Sequence, residues 1–141
     1  MVKGTDYVTA GQQSSTTAGS KATAEGDSTN ASGVRSHAEG RSTTASGMSS
    51  HAEGDYTTAS GNCSHAEGYH TQANAQYVHV EGSYSTAADT AAHAEGYYTN
   101  AQGTYSHAES NSTTASGMSS HAEGGYTKAI GDDSHAEGYY T

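Results

Sequence analysis

The sequence predicts an all-β fold, a parallel solenoid in which each 14-residue repeat winds once and contributes two short strands. Three observations predict it: histidine and glutamate recur every 14 residues, alanine recurs every seven, and glycine follows alanine by two residues in most repeats. The histidines with this spacing are His37, His51, His65, His79, His93, His107, His121 and His135. The glutamates that follow them by two residues are Glu39, Glu53, Glu67, Glu81, Glu95, Glu109, Glu123 and Glu137.

The composition argues against an ordinary globular enzyme. The chain has 141 residues, only 31% of them hydrophobic, and it contains no Leu, Phe, Trp or Pro. Most hydrophobic residues are alanine and tyrosine, so large aliphatic side chains are too few to fill a three-dimensional core. Five basic residues against 15 acidic ones give a net charge of −10, which disfavours binding to nucleic acid. We also expect no membrane span and no signal peptide.

Each repeat divides into two strands joined by two-residue turns. The spacing of two between alanine and glycine is the period of a strand. A coiled coil spaces its apolar residues three and four apart, and collagen needs glycine at every third position. In the first full repeat, residues 36–40 form one strand, with Ser36, Ala38 and Gly40 on the same face. Residues 43–47 form the second strand with the same pattern, so the two small faces are predicted to close a thin coil.

The repeat divides the chain into two regions. Its register persists from Gly19 onward, so residues 19–141 are predicted to form one β-roll of 14-residue repeats. Residues 1–18 are predicted to form a degenerate first coil or a lead-in segment. The sequence stops in the middle of a repeat, at Thr141, which indicates that this piece is truncated from a longer protein.

The pattern resembles the YadA-like head domain of trimeric autotransporter adhesins. The resemblance rests on the alternating Ser-x-Ala-x-Gly-x-x units and covers residues 19–141. It implies a left-handed parallel β-roll head, three chains around a threefold axis, and an adhesive role at a surface. The Ser-His-Ala-Glu-Gly version also resembles repeats of Gram-positive surface proteins and of phage tail proteins.

One outer face of the roll is predicted to bind other copies of the chain. Burying a methyl group gains about 0.8 kcal/mol, whereas ordering a residue's backbone costs about 1–2 kcal/mol, so a coil filled with alanine needs further burial. The face that carries the regularly spaced histidines and glutamates, here called the His/Glu ladder, is nearly constant between repeats. The opposite face varies, from Thr44 and Ser46 to Lys128 and Ile130. We therefore place the His/Glu ladder at the trimer axis.

We expect the ladder to hold the trimer through hydrogen bonds from histidine to glutamate of a neighbouring chain, with trapped water in the gaps. Because histidine titrates near neutral pH, the trimer is predicted to be pH-sensitive. Histidine and carboxylate also bind transition metals, and three imidazoles on an axis could hold a metal or an anion. The motif recurs in eight successive repeats, so we expect structural hydrogen bonding, with adventitious ion binding on the axis as the alternative.

No catalytic site is predicted. Ser36, His37 and Glu39 contain the residue types of a nucleophilic triad, but Ser36 and Glu39 point to opposite faces of one strand. We therefore expect no enzyme activity, no metal centre and no cofactor. Cys63 lies in a turn and is predicted to be a free thiol.

Tyrosines recur at one turn position and form a predicted aromatic strip along one edge of the roll. Its members are Tyr56, Tyr84, Tyr98, Tyr126 and Tyr140. His70 takes the same position in another repeat, and Tyr69, Tyr97 and Tyr139 lie one residue earlier. The strip has two interpretations: rings that pack adjacent coils together, or an exposed surface that binds a glycan, a matrix protein or a host-surface receptor.

The function predicted from these features is a structural and adhesive head segment of a trimeric surface fibre that attaches to host cells or matrix. The alternative is a shaft or receptor-binding segment of a phage tail fibre, which needs the same rigid trimer. Either role places the segment outside the cell, on a cell surface or a virion tail. The expected partners are two further copies of the chain and a surface receptor, without nucleic acid and without membrane insertion by this segment.

Overall fold

A computed structural model describes residues 8–10 and 18–141. This part of the chain is a parallel β-solenoid of about eight coils of 14 residues, and none of it is helical. The predicted first coil or lead-in segment, residues 1–18, lies outside the described residues apart from 8–10 and Ala18. No described residue belongs to a helix with the length and apolar character needed to cross a membrane.

The strands form two parallel sheets. The ten-stranded sheet contains β1 (Val8–Ala10), β2 (Thr23–Asp27), β4 (His37–Arg41), β6 (His51–Asp55), β8 (His65–Tyr69), β10 (His79–Ser83), β12 (His93–Tyr97), β14 (His107–Asn111), β16 (His121–Gly125) and β18 (His135–Tyr139). The eight-stranded sheet contains β3 (Asn30–Ala31), β5 (Thr44–Ala45), β7 (Thr58–Ala59), β9 (Gln72–Ala73), β11 (Thr86–Ala87), β13 (Asn100–Ala101), β15 (Thr114–Ala115) and β17 (Lys128–Ala129). From β2 onward, successive strands therefore alternate between the two sheets, so that each coil contributes one strand to each sheet.

The coils stack in the register that the repeat predicts. His37 pairs with His51 and Ala38 with Ala52, and Thr44 pairs with Thr58 in the other sheet. Every partner is thus offset by one 14-residue repeat. This register confirms that each repeat forms one coil with two strands.

The core is a column of small side chains between the two sheets. Its buried hydrophobic residues are all alanine except Val78 and Val80. The predicted inward faces are confirmed, because Ser36, Ala38 and Thr43 are at most 2% exposed. The Ser36 hydroxyl donates to the carbonyl oxygen of Gly33 at 2.8 Å, so this buried serine closes the turn before its own strand.

Each coil turns twice through a residue in the left-handed backbone region. Tyr56 has φ 57° and Cys63 has φ 54°, and the same conformation recurs every seven residues along the solenoid. A non-glycine residue in this region costs of order 1–3 kcal/mol unless its surroundings hold it there. The turns are held by hydrogen bonds to the preceding coil, such as Tyr56 N–H to the Arg41 carbonyl at 2.9 Å.

Glycine near the end of each long strand permits the coils to approach closely. Gly40 has φ 114°, and a Cβ built on it would lie 2.0 Å from the carbonyl oxygen of Gly54 in the next coil. Neither the conformation nor the space suits a side chain. Ser110 occupies the equivalent position in β14 and has φ 81°. This coil therefore departs from the regular backbone.

Candidate functional site

The His/Glu ladder lies on the outer surface of the ten-stranded sheet. In the long strands from β4 to β16 the central residue, alanine or Val80, is buried, while the histidine and glutamate on either side are at least partly exposed, as at His51, Ala52 and Glu53. In the last strand, β18, all three residues are at least partly exposed. All the predicted ladder residues lie in these strands, and the register places each histidine beside that of the next coil. These residues therefore form one continuous surface along the sheet.

The imidazoles stack on one another along the whole ladder. Adjacent ring centroids are 4.7–4.9 Å apart from His37 to His135, and most neighbouring rings are close to parallel. The tilt rises to 27° between His65 and His79 and to 32° between His79 and His93. This stacking follows from the spacing between paired strands, which sets the distance between like side chains.

Six imidazoles carry a buried Nε2 atom that has no hydrogen-bond partner among the described residues. They are His37, His51, His65, His79, His93 and His107. Their side chains are only half-buried overall, for example 39% exposed at His37 and 37% at His65. A buried polar atom without a partner costs free energy, so this row of nitrogen atoms is the least satisfied feature of the ladder.

The ladder carboxylates lie beside the imidazoles without forming short hydrogen bonds to them. Nε2 of His79 is 3.5 Å from the Glu81 carboxylate, and the corresponding separations at His37, His51, His65 and His121 are 3.6–3.8 Å. In the irregular coil of Ser110 the contact crosses between coils, since His121 Nε2 lies 3.3 Å from Glu109 Oε1. Within one chain, these ladder glutamates therefore interact with the imidazoles mainly through electrostatic attraction at 3.5–3.8 Å.

The surroundings of two ladder imidazoles, those of His65 and His93, favour the neutral form. Burial lowers the pKa of His65 and of His93 below the ordinary histidine value, and the adjacent imidazoles lower it further. The nearby glutamates oppose this effect but do not reverse it. The pKa of Glu109 is also lowered, because Glu123 and His121 hydrogen-bond to its carboxylate.

Two groups in the second half of the ladder bring three metal-ligating atoms together. The first comprises His93, Glu95 and His107, and the second comprises His121, Glu123 and His135. In each group the ligating nitrogen and oxygen atoms all lie within 4.8 Å of one another. Each group takes two residues from one strand and one from the next.

The aromatic strip also forms a stack along one edge of the solenoid. Ring centroids are 4.7 Å apart between Tyr56 and His70, 5.1 Å between His70 and Tyr84, and 4.8 Å between Tyr84 and Tyr98. Ser112 occupies the next turn position, and the stack resumes with Tyr126 and Tyr140 at 4.9 Å. All five tyrosines are exposed, from 38% at Tyr84 to 69% at Tyr140.

The flanking tyrosines meet the stack edge-on. Tyr69 contacts both His70 and Tyr84 at interplanar angles of 81° and 84°, and Tyr97 meets Tyr98 at 89°. A hydrogen bond with Tyr69 raises the pKa of Tyr84. Because neighbouring rings cover the faces of the stacked tyrosines, the strip presents mainly ring edges and hydroxyl groups to solvent. Both predicted interpretations therefore fit its geometry.

Two exposed features were not predicted as site residues. Tyr77 and Tyr105 are 62% and 64% exposed and lie at the other turn of the coil. They are 28 residues apart, which is two repeats, and this spacing could have identified them in the sequence. Arg41 forms a bidentate ion pair with Asp55 of the next coil, 2.8 Å from Nε to Oδ1, and its guanidinium lies over Tyr56. This pair lowers the pKa of Asp55. Cys63 is a free, exposed cysteine, as predicted.

The comparisons with known proteins assign no family. No protein-family model matches the chain, and no curated protein matches it either. The molecule is therefore characterised by a solenoid with 14-residue coils, by its stacked histidines and by its exposed tyrosines.

Proposed function

We propose that this chain is the rigid, adhesive head segment of a homotrimeric fibre displayed outside the cell. In this proposal the solenoid is left-handed, as the resemblance to YadA-like heads implies, and three copies meet along the His/Glu ladder. The segment attaches the fibre to a host surface or matrix and has no catalytic role. The geometry of Ser36 supports the last point, because its hydroxyl is buried against Gly33 and turned away from His37.

The row of unpartnered nitrogen atoms carries the proposal. Six successive imidazoles hold a buried Nε2 without a hydrogen bond, on a flat sheet face that also carries exposed carboxylates. These atoms are covered within the single chain, so the ladder side chains have to shift before another chain can reach them. A second ladder brought to this face would then supply an acceptor or a donor to each nitrogen, depending on the tautomer. Association would then remove an unfavourable feature of the isolated chain in six coils at once.

The thin core supports the same conclusion. Alanine dominates the buried hydrophobic residues, so each coil gains little free energy from its own interior. The opposite sheet carries side chains of varied size and charge, such as Thr58, Gln72 and Lys128 at one position. A face packed against symmetry-related copies constrains its residues more tightly than a solvated face. The constant His/Glu ladder is therefore the better candidate for the interface.

Size measurements on variants of the two faces test the proposal. The H65Q/H79Q double variant changes two neighbouring rungs of the ladder and is expected to shift the assembly toward single chains. The matched control, T58Q/T86Q, changes the opposite sheet, where Gln72 already occupies the same position in another coil. Light scattering coupled to gel filtration gives the mass, and circular dichroism reports folding. Equal masses for the two folded variants would contradict the placement of the interface.

A further inference from the structure

We propose that His93, Glu95 and His107 form a binding site for a divalent transition-metal ion such as Zn²⁺, and that His121, Glu123 and His135 form a second site of the same kind. All three ligands of each site come from one chain. His93 and His107 also belong to the ladder that the proposed trimer places at its interface, so in these coils a bound ion takes the place of an interchain hydrogen bond. The trimer is tested by the mass of the assembly and this inference by the zinc stoichiometry, so the failure of one is distinguishable from the failure of the other.

The chemistry of the donor atoms fits zinc. Two imidazole nitrogens and one carboxylate oxygen are a recurrent set of three protein ligands, with water in the fourth position of the tetrahedron. In the first group the Nε2 atoms of His93 and His107 are both buried and lack a hydrogen bond. A bound cation would therefore satisfy two nitrogen atoms that the described residues leave without a partner.

The distances require only side-chain adjustment. The three ligating atoms lie within 4.8 Å of one another, and the His93 and His107 rings are stacked 4.7 Å apart with an angle of 2° between them. Zn–N bonds of about 2.0–2.1 Å at a tetrahedral angle require the nitrogen atoms to be about 3.4 Å apart. Tilting the rings toward each other closes this difference. His79 and His93 already depart from parallel by 32°, so the ladder accommodates such a tilt.

The mutual spacing of three ligating atoms distinguishes these groups from the rest of the ladder. The coils from β4 to β18 all carry a histidine and a glutamate at these positions, yet within the described residues three ligating atoms lie within 4.8 Å of one another only at these two groups. The chain's net charge of −10 favours the approach of a cation. The two groups share no residue, so both can be occupied in the same molecule.

Calorimetric titration with zinc chloride tests the inference. The full chain is first treated with a chelator and dialysed, and it is then expected to bind two Zn²⁺ ions per chain. The H93Q/H107Q variant is expected to lose one equivalent, and H121Q/H135Q the other. The matched control, H51Q/H65Q, removes two ladder imidazoles that belong to neither group and is expected to retain both equivalents.

Three outcomes would overturn the proposal. They are no stoichiometric binding by the unmodified chain, an unchanged stoichiometry in H93Q/H107Q, or an equal loss in the H51Q/H65Q control, which would indicate unspecific binding by exposed histidine. Circular dichroism verifies that each variant is folded. If H93Q/H107Q does not fold, E95Q replaces it, since it alters one ligand without disturbing the imidazole stack. The visible spectrum of the Co²⁺-loaded chain provides a second readout, because tetrahedral coordination by nitrogen and oxygen gives much more intense visible absorption than octahedral, hydrated Co²⁺.

Discussion

The close approach of neighbouring coils limits which side chains fit at individual positions of this solenoid. The glycine of each long strand adopts a positive φ and has the next coil's carbonyl where a Cβ would be, as at Gly54, 2.1 Å from the Gly68 oxygen. The turn residues also adopt the left-handed conformation, although they carry side chains as large as tyrosine. Close stacking therefore explains the regular glycines, and hydrogen bonds between coils maintain the strained turns.

A reciprocal pair of substitutions tests this explanation. Gly54→Ser places a side chain where φ is 114° and should lower the free energy of unfolding by roughly 1–3 kcal/mol. Ser110→Gly restores glycine at the one described coil of this series where serine replaces it, and should raise stability. Thermal or denaturant unfolding measures both changes. A neutral Gly54→Ser together with a destabilising Ser110→Gly would show that close approach does not select these residues.

We expect the protein to lose stability at acid pH because of two ladder histidines, His65 and His93. The pKa of His65 and of His93 is lower in the folded chain than in the unfolded chain, so the unfolded chain binds more protons as pH falls. Their contribution is therefore complete above about pH 6.5, the unperturbed histidine pKa, and declines as pH falls below it. Melting temperatures measured between pH 7.5 and 5 should decrease. The H65Q/H93Q variant should show a smaller decrease, and an identical pH dependence would refute this assignment.

At the scale of elements, each residue in the sheets and at the turn edges lies beside the residue 14 positions later in the next coil. The aromatic strip is the clearest example, because one turn position generates a stack of rings with exposed edges and hydroxyl groups. Stacked aromatic pairs contribute about 0.5–1.5 kcal/mol beyond the area they bury. The strip therefore stabilises the edge and leaves ring edges and hydroxyl groups exposed to solvent.

Alanine substitution separates these two roles of the strip. The Y84A/Y98A/Y126A variant is expected to remain folded with a modestly lower melting temperature and to lose binding on a glycan and matrix-protein array. The Y77A/Y105A control removes exposed tyrosines from the other turn edge and should bind like the unmodified chain. Undiminished binding by the folded triple variant would assign the strip to packing alone.

Much of the fold could be predicted from the repeat. The 14-residue spacing of histidine and glutamate predicted the register, and the small residues around Ala38 predicted the inward face. The same spacing predicted which tyrosines lie on one edge. These features follow from periodicity, because an offset of one repeat places identical residues side by side in a parallel sheet.

The geometry of the site could not be predicted in the same way. The tilt between His79 and His93, the buried Nε2 atoms and the convergence of Glu95 on two imidazoles depend on side-chain rotamers. Rotamers respond to neighbours in three dimensions, whereas the sequence pattern of these repeats is nearly identical. The altered backbone at Ser110 and the cross-coil contact of Glu109 both occur at the strand position where serine takes the place of the regular glycine, and their geometry depends on close packing.

Over the whole molecule, the two sheets differ in the side chains that they carry on their outer faces. One sheet carries a constant row of stacked imidazoles with unpartnered nitrogen atoms, and the other carries variable polar side chains. With a core of alanine, the single chain has little apolar burial to oppose the entropy of ordering. The proposed trimer buries the constant sheet and leaves the aromatic strip accessible on the outside of a stiff rod.

Sedimentation equilibrium of the unmodified chain at neutral pH tests this claim most directly. Over a wide range of concentrations, the account predicts a single species of three times the 14.3 kDa chain mass. A single species of 14.3 kDa that unfolds cooperatively on heating would show that one chain is sufficient. That result would contradict the assignment of the His/Glu ladder as the surface that joins three copies.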